Sequence, residues 1–448
     1  MKKLFFLKCL LLLLLISYGL SVVQAEEQAL YDSLSLEQKL ADFNYLYQGL
    51  AENYPYFGVL QRERDYDWLA DKEEFEEIIK RTKNDIEFYQ VLKGIIDRIN
   101  DKHTHVLSPS FYNYVKHVFD IAIKEHDYDQ LLQPGIIDLL KNEKSEEIYS
   151  RLATDDQTIK SDNLNGSAQS GKNRKQGNIR TKIIEENKIA YVKIRSFSLG
   201  YQKKDRGQLI DFWKKIGHYP YLIIDIRGNG GGSDTYWLNN IVGPINNQER
   251  ELISYSVYKG GNYSRQLIET EKGGELSSPF IKAQKTSWHP IDYLPPKENY
   301  PPELKKEFKY FNKAEYIIGP GPFPFEGQIY LLIDDRVYSA ADNFCIFAKT
   351  TNWATLVGES TTDGGSGSTP LIMALPNSGL LVRFSARAGL KADGSMYEEF
   401  HLRPNIVSNN PLEKALKMIY FKLGKDNKVT DSLSVDPLEE VLNIINNQ

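Results

Sequence analysis

Residues 221–234 read YLIIDIRGNGGGSD, an apolar run that ends in a carboxylate and leaves through Gly228 and Gly230–Gly232. A continuous apolar run of this kind is what a parallel strand buried on both faces shows. Loop glycines cost stability, because the unfolded chain gains freedom from them. A cluster of them therefore marks main chain that must come very close to something.

The surrounding chain alternates strand and helix patterns. Upstream, IRTKII (179–184) and KIAYVKI (188–194) are short β-rich runs separated by EEN, a hairpin signal. RGQLIDFWKKIGH (206–218) is helical. Downstream, DTYWLNNIV (234–242) reads as helix, GQIYLLID (327–334) as a second buried strand, and SAADNFCIFAK (339–349) as a helix. ATLVG (354–358) and LLVRFS (380–385) read as further strands, and PLEKALKMIY (411–420) as an amphipathic helix. This order predicts an α/β fold. Residues 245–325 are rich in Pro, Gly and Tyr and read as an irregular insertion.

The N-terminal part differs. Residues 30–100 read as helical, with a capping box at Ser35 and Gln38 and the same spacing at Asn84 and Glu87. The organisation expected is a leader at 1–25, a helical domain at 26–118, an irregular segment and flexible linker at 119–178, and an α/β domain at 179–448. The leader, MKKLFFLKCLLLLLLISYGLSVVQA, joins two lysines, a leucine-rich run and a Val-Gln-Ala end, the pattern of a secretory signal peptide. Its apolar run is also close to the length that spans a bilayer, so an uncleaved membrane anchor is the alternative.

Beyond the leader the chain keeps a single cysteine, Cys345, so no intramolecular disulfide is available and the core must hold the fold. The net charge of −5 is spread along the chain without a basic block. A nucleic-acid partner is therefore not indicated.

Ser339 follows a buried strand and opens a helix. A hydroxyl there lies where backbone N–H groups and the helix dipole favour negative charge, as a tetrahedral oxyanion requires. Serine is equally a preferred N-cap. The glycine loop leaves a parallel strand at its carboxyl end, where α/β sheets gather ligand sites, which makes it a candidate half of an oxyanion hole. A tight turn or a phosphate cradle are the other readings, although the Gly-Lys-Ser/Thr end of a P-loop is missing.

YLIIDIRGNGGG (221–232), LLIDDRVYSAAD (331–342), LVGESTTDGGSG (356–367) and EEFHLRPNI (398–406) occur in the order and spacing of the S41 peptidases. That family comprises the C-terminal processing (tail-specific) proteases, the tricorn core protease and their relatives, and NDKHTHV (100–106) is similar to its D-x-H-T segment. The resemblance implies a crotonase-like (ClpP-like) α/β protease domain that cleaves peptide bonds with a serine nucleophile and no cofactor or metal. It places Ser339 as nucleophile, and the N–H groups of Gly231 and Ala340 as oxyanion donors. Asp225 and Arg227 frame the loop structurally.

The processing-protease branch uses a lysine base where this chain has Gly364. The tricorn-like branch uses a histidine and a glutamate, which align with His103 as general base and Glu398 as its orienting carboxylate. His105 and Glu399 compete for the same roles, and a His-x-His metal pair is a further reading of 103–105. The serine that precedes the histidine in tricorn is Lys102 here. Cys345, on a helix face read as buried, is a poor nucleophile. No PDZ-type carboxylate-binding loop stands out.

The expectation is thus an exported serine peptidase acting on peptides or proteins. The alternatives are a catalytically inactive peptide- or apolar-ligand-binding protein on the same fold, and an esterase or amidase using the same serine.

Overall fold

A computed structural model describes residues 33–125, 133, 135–156, 177–273, 278–361 and 370–425. The leader read at 1–25, residues 126–132, 134 and 157–176 of the segment and linker read at 119–178, and Gly364 lie outside the described residues.

The N-terminal region is helical: α1 (Leu36–Asn53), α2 (Phe57–Arg64), α3 (Lys72–Ile79) and α4 (Asp85–Asp97). At α1 both arms of the capping box form, Gln38 N donating to Ser35 Oγ and Ser35 N to Gln38 Oε1. At α4 only the cap arm forms; Glu87 instead accepts from Lys83 N at 2.8 Å. Strand β1 (His105–Val106) follows, then α5 (Pro109–Glu125), α6 (Ile136–Leu140) and α7 (Glu143–Asp156). The last two helices occupy part of the segment read as irregular.

Next come β2 (Ile179–Glu185), β3 (Ile189–Ile194), α8 (Leu199–Ile216) and β4 (Tyr221–Asp225). After the glycine loop the chain turns helical over Asp234–Trp237 and passes through a π-turn at Leu238–Val242. Strands β5 (Arg250–Tyr258), β6 (Ile281–Pro290) and β7 (Tyr310–Ile318), with helix α9 (Asn262–Gly273), occupy the stretch read as an irregular insertion. The chain ends with β8 (Gln328–Ile333), α10 (Ala340–Thr350), β9 (Thr355–Gly358), β10 (Leu371–Ala374), β11 (Leu381–Phe384), β12 (Ala388–Leu390), β13 (Ile406–Val407) and α11 (Pro411–Lys422).

Among the described residues the strands form three sheets. The largest has the order β13-β9-β8-β4-β3-β2, parallel except for the β2–β3 hairpin. Strand β4 pairs with a parallel neighbour on both sides, as its apolar run predicts. Its alternation feeds two cores. Leu222 and Ile224 pack with Leu209, Trp213 and Phe344 on one face. Ile223 packs with Tyr330, Leu412 and Ile419 on the other. The second sheet, β12-β5-β7-β6, and the third, β1-β11-β10, are antiparallel. They share one core with α1–α4, in which Phe43, Trp68, Phe88, Phe311 and Phe384 are buried. The helical region is therefore built into the same body as the sheets.

Candidate active site

Strands β4 and β8 both end in Asp-x-Arg clamps. Asp225, fully buried, accepts from Arg227 N and Nε at 3.0 Å, from Arg227 Nη2 at 2.7 Å and from Tyr191 OH at 2.7 Å. The Arg227 side chain and its other partners hold this carboxyl below its usual range, against the upward push of burial. Asp334 binds Arg336 in the same way and also accepts from Gly228 N at 2.9 Å. Both loops are thus fixed at their roots, a structural role for Asp225 and Arg227.

The loops touch at Gly231 and Ser339. Gly231 has φ 93°, and a Cβ on it would lie 2.6 Å from Tyr338 O, 2.8 Å from Ser339 Cβ and 2.9 Å from Ala340 N. A Cβ on the next residue, Gly232, would sit 2.3 Å from the Phe197 carbonyl carbon. Side chains are excluded at both positions by backbone, which is why the strand leaves through glycines.

Ser339 stands at the N-cap position of α10 with φ 58° and ψ −129°, and its side chain makes no capping hydrogen bond. That differs from the cap reading, since a capping serine is extended and gives its oxygen to the helix. The backbone here is one that L-residues rarely adopt, and the partly exposed hydroxyl is not committed to the helix. The Ala340 N–H is the first of α10, a position that the helix's own hydrogen bonds leave unsatisfied. The Gly231 N–H donates to Asn229 Oδ1 at 2.9 Å.

His103 is brought to this point from the helical region. Asp101 organises its loop, accepting from His103 N at 2.7 Å, Thr104 Oγ1 at 2.6 Å and Ser385 Oγ at 3.3 Å. Strand β1 then pairs with β11, setting His105 opposite Arg383. The buried His103 ring lies 4.6 Å from the ring of Tyr338, the residue before Ser339. Burial, then the Arg383 charge, then His105 push the imidazole well below its ordinary pKa.

His105 faces elsewhere, with its ring 5.2 Å from that of Phe111. Burial chiefly, and Arg383 next, pull its pKa down to about 3. The two histidine rings thus rest against different aromatic neighbours, Tyr338 and Phe111. No hydrogen bond joins the Ser339 and His103 side chains among the described residues.

Glu398 and Glu399 lie in a turn. Glu399 takes a bidentate bond from Arg62, at 2.8 and 2.6 Å. Glu398 lies close enough for its charge to act on Tyr54, Tyr56 and Tyr338, which surround Asp101 and His103. The adjacent carboxylates therefore serve different neighbours, Glu399 the Arg62 guanidinium and Glu398 the phenols of Tyr54, Tyr56 and Tyr338. Cys345 is fully buried, and burial pushes its thiol well up.

Several residues of the site carried no sequence signal strong enough to single them out. Asp101 is the exception: it is the first residue of the D-x-H-T stretch, two places before His103, a spacing that supports an Asx-type turn. Tyr54, Tyr56, Tyr338 and Arg383 come from segments that share no local motif. The Tyr338 hydroxyl is buried without a hydrogen-bond partner among the described residues, and burial, then the charges of Asp101 and Glu398, keep it protonated.

No curated protein matches this chain. Among solved structures, a candidate peptidase from Parabacteroides merdae superposes with TM-score 0.50 at 19% identity, covering 85% of this chain and 96% of that one. Mature CPAF aligns with TM-score 0.49 at 13% identity over 90% of this chain and 99% of its own. A lipoprotein from Streptococcus agalactiae aligns with TM-score 0.47 at 12% identity over 86% and 96%. No helix among the described residues is long and apolar enough to cross a membrane. The profile of Peptidase family S41 matches residues 188–408, the span that holds the glycine loop and Ser339, and this part of the chain is a peptidase family S41 domain.

Proposed function

We propose that this chain is an exported serine peptidase of the histidine–serine–glutamate kind. Ser339 Oγ attacks the scissile carbonyl. His103 takes the hydroxyl proton and returns it to the leaving amine. Glu398 orients the imidazole, and Asp101 holds its loop. The N–H groups of Ala340 and Gly231 receive the oxyanion, with Gly231 exchanging Asn229 Oδ1 for the substrate oxygen. The observation that carries this reading is Ser339 itself: a serine held at φ 58° between a buried strand and a helix, uncapped and in contact with Gly231. A serine needs a base at its side to be a nucleophile, and the neutral His103 beside Tyr338 supplies it. The leader read at residues 1–25 supports export.

One observation favours the non-catalytic alternative. The Gly231 N–H is already occupied and Ser339 is not bonded to His103, an arrangement that a binding protein could retain permanently. The same experiment separates the two. Residues 26–448 and a Ser339→Ala variant are incubated with a mixed peptide library, and products are read by mass spectrometry. Cleavage by the first and none by the second is expected. Equal cleavage by both would remove Ser339 from the mechanism, and cleavage by neither would favour the binding protein.

A further inference from the structure

The Tyr338 hydroxyl is buried and has no hydrogen-bond partner among the described residues, and the residue as a whole is only 9% exposed. A buried phenol left unpaired costs free energy that a phenylalanine would not. The side chain instead meets its neighbours through its ring. The His103 ring lies 4.6 Å away at an interplanar angle of 44°, at the short end of the range for packed rings. The Lys102 ammonium stands 5.3 Å from the centre of the same ring.

The backbone fixes both partners. Tyr338 N donates to Asn229 O at 3.2 Å, the Tyr338 carbonyl accepts from Ala341 N at 3.2 Å, and Ser339 follows at φ 58°. Tyr338 therefore hangs from the turn that presents the serine. His103 is held from the other side, its main-chain N–H by Asp101 at 2.7 Å and the strand that follows by pairing with β11.

In the proposed reaction Ser339 Oγ bonds to the carbonyl carbon, an electron pair of the carbonyl moves to its oxygen, and the hydroxyl proton goes to His103. The ring is then an imidazolium until that proton passes to the leaving amine. Burial, the Arg383 guanidinium and His105 all oppose a positive charge there. Asp101 accepts from the His103 main chain, Thr104 and Ser385, and the Glu398 charge acts on the Tyr338 phenol. An aromatic face attracts a cation within about 6 Å of its centre. The Lys102 ammonium already lies within that distance of Tyr338, and His103 lies closer.

We propose that the ring of Tyr338 stabilises the imidazolium of His103 and holds the imidazole in place to take the serine proton, which makes Tyr338 a positioning residue of the reaction. The origin of the proton at Ser339 rests on the peptidase reading. The attraction between ring and imidazolium does not, and can be read on the histidine itself.

The test uses the full chain with Tyr338→Phe, with Tyr338→Leu, and with a trifluorinated phenylalanine at the same position, which keeps the shape of the ring and removes the negative charge of its face. kcat and KM are measured on a peptide that the unaltered protein cleaves. The protonation of His103 is followed through pH by NMR on isotope-labelled histidine, assigned with His103→Gln. Tyr338→Phe is expected to keep kcat within about twofold, because the hydroxyl is unpaired. The trifluorinated ring and Tyr338→Leu should each lower kcat about tenfold with KM nearly unchanged, the pattern of an interaction made in the transition state. Both should also make the imidazolium form at lower pH than it does with phenylalanine.

Equal kcat with the phenylalanine and the trifluorinated ring overturns the proposal. So does a loss in Tyr338→Phe as large as that in Tyr338→Leu, which would give the role to the hydroxyl. The trifluorinated ring has nearly the shape of phenylalanine, so misfolding of Tyr338→Leu cannot mask the answer. If the unaltered protein cleaves no peptide, the peptidase reading fails and the titration decides alone: His103 protonation that is the same with and without fluorine overturns the proposal.

Discussion

At Ser339 a backbone of φ 58° and ψ −129° costs an L-residue about 1–3 kcal/mol. The surrounding contacts hold it there: Tyr338 N bonds to Asn229 O at 3.2 Å, and Asn343 N to Ser339 O at 3.0 Å. The base proposed for it, His103, is tuned as well. The His103 ring lies 4.6 Å from that of Tyr338, its main-chain N–H bonds to Asp101, and the charges of Arg383 and His105 act on it. Burial first, and the Arg383 charge next, disfavour the imidazolium. An imidazole with its pKa depressed below about 6.5 stays neutral, and so competent as a base, into mild acid. The acid limb of kcat/KM is therefore expected below about pH 6.5. Arg383→Met should move it upward by removing a repelling charge. A limb at or above that value in the unaltered protein would contradict the assignment. The sign for stability follows from the same shift. Below about pH 6.5 the unfolded chain binds a proton at this histidine that the folded one does not, so His103 contributes a loss of stability as pH falls. His103→Gln should flatten that part of the stability profile in denaturant titrations.

The turn that carries Glu398 is an element held by its neighbours. Arg62 of α2 grips Glu399 with two bonds and Glu303 with a third at 2.6 Å, joining the helical region, the insertion and the turn. Both carboxylates are largely shielded, with side-chain exposures of 11% for Glu303 and 13% for Glu399, against 29% for Arg62. With Glu399 held by Arg62, Glu398 acts on Tyr54, Tyr56 and Tyr338. Arg62→Met is expected to lower kcat by up to about 10²-fold, the scale of a small misplacement of a catalytic group, while the fold survives. A double-mutant cycle with Glu399→Gln should return a coupling of about 0.5–3 kcal/mol. Additive effects on kcat would mean that the clamp does not position the turn. The sequence pattern left these two glutamates undecided because a turn has no two-residue alternation to read. Strand β4 was legible for the opposite reason: buried on both faces, it shows as one apolar run. Strand β6 was not, since IKAQKTSWHP at the sheet edge has no fully buried residue, and backbone pairing with β7 rather than hydrophobic period makes it a strand.

Across the whole molecule, the proposed reading has the S41 domain completed from outside its own span. The proposed site would draw Ser339, Gly231 and Glu398 from within 188–408, but His103 and Asp101 from the helical region. Local motifs could name each of these residues. Their convergence depends on contacts between distant segments, which no window of sequence contains. Those contacts are numerous and polar as well as apolar. Asp42 accepts from Asn377 N and Ser378 N, each at 2.8 Å, Asn53 from Ser264 N at 2.8 Å, and Tyr149 OH from Leu381 N at 3.1 Å. Phe43, Leu46 and Leu50 of α1 lie in one core with Met373, Phe384 and Leu390. Uncovering a large apolar side chain costs about 1.5–3 kcal/mol, and net domain stability is only about 5–15 kcal/mol. Losing the helices thus exposes more than the remainder can sustain. A fragment of residues 177–448, although it contains Ser339 and the whole family-matched span, is expected to lack a cooperative thermal transition and to bind a hydrophobic dye. Residues 26–448 should melt in one transition under the same conditions. A monomeric fragment with its own sharp transition would show that the helical region is a separate unit, and that β1–β11 pairing is a docking contact rather than part of a shared core.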